Sequence, residues 1–246
     1  AWFLTKMKEK YGDDIFLNRD AWRLSLLSWW VYLIPFAIVL LILFMQPDIG
    51  TMMLYFIVFC VFLFVAGLPY IIIVPLACIF GVGGLLAFLF QPHVHRRVMD
   101  FFQPLDPTTQ VGYSVNAIRQ GGLFGMGDEA FAKESLPDAH TDFIYAALVE
   151  DWGAIIACFL LIFLLCVIRR LVTNAMSARD SFVFYATAGT AALFGTQVCI
   201  NLATTLHLMP PKGMTLPFIS SGGSSFLGYC LLFGMVLAIV REDKWK

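Results

Sequence analysis

The stretch IGTMMLYFIVFCVFLFVAGLPYIIIVPLACIFGVGGLLAFLFQPHVH, Ile49 to His95, decides the fold. Its 47 positions (49 to 95) hold no Lys, Arg, Asp or Glu. About 20 apolar residues cross the hydrocarbon core of a bilayer, so the run suffices for two helical spans. Gly67-Leu68-Pro69 supplies the break between them.

The same pattern continues outward. Leu24 to Met45 is uncharged and predicts a span before this pair, and Phe143–Ile168, Phe182–Leu206 and Ser224–Val240 predict three after it. The chain of 246 residues is 60% hydrophobic and only 13% charged, about half the charged fraction of a soluble domain. Its mean hydropathy is +0.81. The fold class is therefore an all-α polytopic membrane protein of about six transmembrane helices with one long loop. Residues 1–23 read as the end of a preceding helix and a cytoplasmic segment, 24–90 as three spans, and 91–141 as an extracytoplasmic loop. Residues 142–240 read as three more spans with short loops and 241–246 as a tail. The chain begins Ala1-Trp2-Phe3-Leu4 and reads as a piece of something longer. A net charge of −1 without a basic block excludes nucleic acid as a partner. Cys60, Cys78, Cys158, Cys166, Cys199 and Cys230 all lie in apolar runs, where a thiol acts as a small hydrophobe.

Orientation follows from Lys and Arg, which concentrate on cytoplasmic segments. With both termini in the cytoplasm, the inner segments hold Lys6, Lys8, Lys10, Arg19, Arg23, Arg169, Arg170, Arg179, Arg241, Lys244 and Lys246. The outer segments hold Arg96, Arg97, Arg119, Lys133 and Lys212. The excess of 11 over 5, summing to all 16, places the loop outside.

Several polar residues exceed what such a composition needs. Thr141 and Asp142 open the fourth span, where either side chain suits a helix cap. Glu150 and Asp151 lie two turns further on, where acids tend to face a bundle interior or wet cavity. Gln197, Asn201, Thr204 and Thr205 share one face of the fifth span. They fit interhelical hydrogen bonding or a cavity lining. In HVHRRVMDFFQPLD, His93 to Asp106, the Arg96-Arg97 pair is either an interfacial anchor or a fork of donors for a phosphate. MPPKGMTLPFISSGGSSFLG, Met209 to Gly228, carries three prolines, four glycines and Lys212 at the entrance to the sixth span. Irregular backbone at that depth needs protein or a watery cavity around it.

Four motifs now stand in order: QPDIGT (46–51), GYSVNAIRQGGLFGMG (112–127), LPDAHTDFIYA (136–146) and PPKGMTLPFISSGGSS (210–225). Together they resemble the SEDS family (shape, elongation, division and sporulation proteins). The division branch of alphaproteobacterial type is the nearest match and the elongation branch the next. The resemblance implies the C-terminal six helices of a ten-helix bundle, without the first three and most of the fourth. It implies a peptidoglycan glycosyltransferase that polymerises lipid II at the outer face of the bacterial inner membrane, at the division septum. The alternatives are an elongation-type polymerase, a flippase for the lipid-linked precursor, or a scaffold. The implied partners are lipid II, the undecaprenyl-pyrophosphate glycan chain, other division proteins and a class B penicillin-binding protein transpeptidase (FtsI-like). A divalent cation, Mg or Mn, is an expected cofactor. By resemblance the family's essential Asp maps to Asp142 as general base, its Glu before Leu-Pro to Glu134, and its Lys of Pro-x-Lys-Gly to Lys212. Arg96, Arg97, His140, Thr141, Gln197 and Asn201 complete the expected substrate-binding set. The chain alone is expected to be inactive. Three departures stand out: Asp138 for the family's Glu, Asp151 for the second Glu of EELG, and Ser221 for a Tyr. The family's Gln-Lys pair is unmatched at Phe131 and Ala132.

Overall fold

A computed structural model describes residues 1–11, 34–46, 48–65, 67, 70–130, 140–211 and 213–245. Glu134, Lys212 and residues 24–33 of the first expected span lie outside the described residues. Regular structure among the described residues is helical. The helices are α1 Trp2–Tyr11, α2 Ile34–Met45, α3 Ile49–Val65, α4 Tyr70–Phe90, α5 Pro92–Phe102, α6 Gln110–Gly121, α7 Ile144–Met176, α8 Ser181–Thr205 and α9 Gly223–Trp245. The segments α4, α7, α8 and α9 are long and apolar enough to cross a membrane. The described parts of the first two expected spans are shorter. For instance, the 17 residues of α3 extend only about 26 Å. Inside a bilayer the backbone must satisfy its own polar groups, which favours helices. Exposed Leu85, Leu89, Phe159, Phe163, Leu231 and Leu237 suit a lipid solvent.

The described residues fall into two compact units. The first comprises Ala1–Ile79, Leu171–Leu193 and Gly234–Lys246. Here Phe62 lies on Gly189 so closely that a Cβ would strike the ring, and Phe62 also faces Tyr185 at 6.3 Å. Asp243 is buried. Its carboxylate accepts from the backbone N–H groups of Arg179 (2.9 Å) and Asp180 (3.0 Å) just ahead of α8. The expected tail at 241–246 is helical through Trp245.

The second unit comprises Phe80–Arg170 and Phe194–Phe233. The region expected as a plain loop contains two helices, α5 and α6, and a short 3₁₀ turn at Gly127–Glu129. Pro92 starts α5, where its missing N–H costs nothing. Thr109 caps α6 by accepting from Gly112 N at 3.1 Å. Val111 and Ala117 of α6 form a buried cluster with Phe143, Ala146 and Ala147 of the α7 entrance. Phe194 packs beside Phe218, Tyr229 and Phe233 at centroid distances of 6.1, 5.9 and 5.3 Å.

α7 is not straight. Gly153 has φ 83° and ψ 168° within it, a backbone region that only glycine adopts freely. The break exposes helix groups, and the segment Gly121–Met126 satisfies them. Met126 N donates to Glu150 O at 2.7 Å, and Ala154 N donates to Gly122 O at 2.9 Å. The contact is too close for side chains. A Cβ on Gly125 would strike the Asp151 carbonyl, and one on Gly153 would strike the Leu123 carbonyl.

Candidate functional site

The kink explains two of the acids. α7 has 33 residues, about 50 Å of helix, against a hydrocarbon core of about 30 Å. Counting roughly 20 residues back from the charged pair Arg169-Arg170 reaches Val149. Glu150 and Asp151 therefore fall at the opposite interface, beside the kink. Glu150 is nonetheless only 2% exposed.

Asp142 belongs to the turn 140–142 just before α7 and is half-buried. Two contacts join this turn to the irregular segment between α8 and α9. Ser221 N donates to His140 O at 2.8 Å. Asn201, fully buried on α8, donates from Nδ2 to Asp142 O at 2.8 Å and to Met214 O at 2.6 Å. The Asp142 carboxylate also faces Gly213, where a Cβ would stand 3.4 Å from Oδ2. Gly213 has φ 63°, a left-handed turn that favours glycine.

The rest of the α8 stripe works the same way. Gln197 Nε2 donates to Thr215 O at 2.9 Å, and Gln197 Oε1 accepts from Tyr229 OH at 2.6 Å. Thr204 and Thr205 hydroxyls donate to Asn201 O at 2.8 and 2.9 Å. Ser114 of α6 donates to Thr205 O at 3.1 Å. Thr215 and Ser225 hydroxyls meet at 3.1 Å, and Leu216 N donates to Ser220 Oγ at 2.8 Å. Of the two sequence readings of Gln197 and Asn201, the structure displays the hydrogen-bonding one. Both side chains hold the protein's own backbone.

His140 is exposed and Thr141 half-buried. Arg96 and Arg97 are exposed on α5. Arg97, but not Arg96, belongs to the lining described for a cavity of about 380 Å³ walled by α5, the 103–111 segment, His207 and Pro211; Asp142 is not in that lining. Asp106 lies in this wall. Its carboxyl is held below the usual range because Thr108 donates both its backbone N–H (2.8 Å) and its hydroxyl (2.7 Å) to Oδ1. Sequence reasoning passed over this cavity and the glycine contacts at the α7 kink.

Asn201 carries a testable load. Removing its side chain leaves the Asp142 and Met214 carbonyls without that donor, and an unsatisfied buried group costs about 1–3 kcal/mol. Asn201→Ala should lower thermal stability in detergent by roughly 2 kcal/mol or more. Asn201→Asp should fare no better, since a carboxylate presents no donor. A melting temperature equal to wild type for both variants would refute the tie.

The family model for FtsW, RodA and SpoVE proteins, described as cell cycle proteins, matches residues 2–245. A protein of Caulobacter vibrioides named probable peptidoglycan glycosyltransferase FtsW is 42% identical over 220 residues, covering 86% of this chain and 54% of that protein. A protein of the same name from Coxiella burnetii is 35% identical, covering 82% and 57%. A chain from a structure on the coordination of polymerization and crosslinking by a peptidoglycan synthase complex has a TM-score of 0.66 at 28% identity, covering 83% of this chain and 59% of that one. The rod shape determining protein RodA of Thermus thermophilus has a TM-score of 0.57 at 27% identity, covering 87% and 57%. The chain spans about half the length of the curated relatives it matches.

Proposed function

Since the chain belongs to the FtsW/RodA/SpoVE family of multi-pass membrane proteins, we propose that it carries the catalytic part of a peptidoglycan glycosyltransferase. The proposed reaction joins the sugar hydroxyl of one lipid II unit to the anomeric carbon of another chain, whose undecaprenyl pyrophosphate leaves. A hydroxyl is a poor nucleophile, and a carboxylate within hydrogen-bond reach makes it a better one by taking its proton. Asp142 is that base. One observation carries the reading: the Asp142 carboxylate faces Gly213, in a turn fixed by Asn201 and Ser221 to the segment that bears Lys212.

The departing pyrophosphate is anionic, and fixed cations stabilise charge that grows in the transition state. Arg96 and Lys212 are proposed for that role, with His140, Thr141 and Glu134 around the sugar; Arg97 instead faces the cavity beside Asp100 and Asp106. Gln197 and Asn201 act as positioning residues. No group of three or more His, Cys, Asp or Glu that could hold a metal occurs among the described residues. A divalent cation, Mg or Mn, is proposed to add to the charge stabilisation that the basic side chains supply to the leaving pyrophosphate. The flippase reading loses its main support, because the polar face that would line a path is engaged with backbone and Tyr229.

Similarity to proteins named FtsW supports a septal role, with a class B penicillin-binding protein as transpeptidase partner. The experiment that decides the function is polymerisation of purified lipid II by the full-length protein with that partner, read as glycan strands on a gel. Absence of strands from well-folded protein would refute it. The proposed topology has both termini cytoplasmic and α5, α6 and Asp142 outside. In a cysteine-free background, Asp106→Cys should react with an impermeant thiol reagent added outside, and Ser177→Cys should not. The reverse labelling pattern overturns it.

A further inference from the structure

We infer that the cavity between α5 and the end of α8 is a saccharide subsite for the glycan strand, separate from the reacting centre. The inference rests on the glycosyltransferase reading above.

The first observation is the wall. Arg97, Asp100, Gln103 and Asp106 face the same cavity as the Phe101 and His207 rings. The ring centroids lie 4.8 Å apart. The volume of about 380 Å³ falls within the range of small-ligand sites. Its chemistry narrows the ligand. Two carboxylates disfavour a phosphate or other anion. A guanidinium among those carboxylates disfavours a multivalent cation, and the charged side chains of Arg97, Asp100 and Asp106 disfavour a lipid tail. A neutral polyol remains. Its hydroxyls both donate and accept, matching acceptor-only Asp, donor-only Arg and the two-way amide of Gln. The apolar face of a pyranose ring suits the aromatic wall.

The second observation is independent of the wall. α8 ends in a Schellman turn, with Leu208 N donating to Ala203 O at 2.7 Å and His207 N to Thr204 O at 3.1 Å. His207 occupies the left-handed position of that turn, with φ 55°. Glycine is the residue that suits this position best. A strained non-glycine residue at this place is accounted for by a side chain that is needed, and its imidazole is a wall of the cavity.

Location sets the role. Leu105 and Val111 line the cavity, and both pack in the cluster that contains Phe143. The cavity therefore adjoins the packing around Phe143, the residue that follows Asp142. A sugar unit held here is not the one being joined but a neighbour along the strand, retained between additions.

The test uses the full-length protein with its transpeptidase partner and the variants His207→Gly and Gln103→Ala. The probe for binding is a lipid-free peptidoglycan tetrasaccharide, followed by saturation-transfer NMR. His207→Gly should melt at or above the wild-type temperature, because the turn is relieved, yet bind the tetrasaccharide about tenfold more weakly. Strand length should fall severalfold, and by more than the rate of lipid II consumption. Unchanged binding and length, or length and rate falling in step, overturns the subsite. Loss of partner co-purification without loss of tetrasaccharide binding shows a protein docking surface and also overturns it. If the wild type makes no polymer at all, the function fails, and the binding arm still decides the subsite.

Discussion

Asp142→Asn in the full-length protein should lower lipid II polymerisation by about 10²–10⁴-fold, while the protein still folds. The asparagine keeps the size of the side chain and can still cap a helix start. Two anchors of the turn do not depend on the carboxylate, because Asn201 binds the Asp142 main-chain carbonyl and Ser221 binds that of His140. What disappears is the proton acceptor. Initial rates from gel-resolved glycan, set beside thermal unfolding of the same preparation, separate chemistry from folding. Near-normal synthesis by the well-folded variant would remove Asp142 from the mechanism.

The second large effect is on stability. Gly153→Ala should destabilise the protein by roughly 2–6 kcal/mol. That range joins about 1–3 kcal/mol for a non-glycine residue in a forbidden backbone region to about 1–3 kcal/mol for an extra methyl in a filled space. Gly127 provides the control. It also has a positive φ, 59°, but a Cβ there would meet nothing within 4 Å, so Gly127→Ala carries the backbone cost alone. Thermal unfolding of both variants in one detergent checks the difference. Equal melting temperatures would show that the contact between Gly153 and the Leu123 carbonyl imposes no constraint.

How much of this was legible in the sequence varied with the range of the interaction that fixes each feature. The apolar runs located α3, α4 and α8 and the starts of α7 and α9 to within a few residues, because lipid burial is a local property of composition. α7 and α9 run further than their uncharged cores, since Arg169, Arg170 and Arg241 are good helix formers and did not end them. α5 and α6 were absorbed into a loop because they are short and carry many polar residues. Their signals were present nonetheless. Thr109 is a cap, Val111, Val115 and Ile118 repeat at helical spacing, and Gly121-Gly122 ends the run. Asp142 stood out through its motif, and the α8 stripe through its period. The sequence left open whether Gln197 and Asn201 face a cavity or backbone, because period places a residue on a face without naming its neighbour. The break at Gly153 depends on residues 121–126 brought in from elsewhere in the chain, and the left-handed turn at His207 closes without the glycine that would have marked it, so no local pattern announced either.

The exchange of hydrogen-bond partners at Gly153 also imposes an order on assembly. A newly made α7 has two ways to satisfy its Glu150 carbonyl and Ala154 amide: remain straight, or find the backbone of residues 121–126. On the proposed topology those residues precede α7 in synthesis and reach the outer side of the membrane first. The bend therefore forms against a segment that has already crossed. An insertion between Gly122 and Gly125 should therefore disfavour the bend, whereas one at the exposed Gly127 should leave it intact.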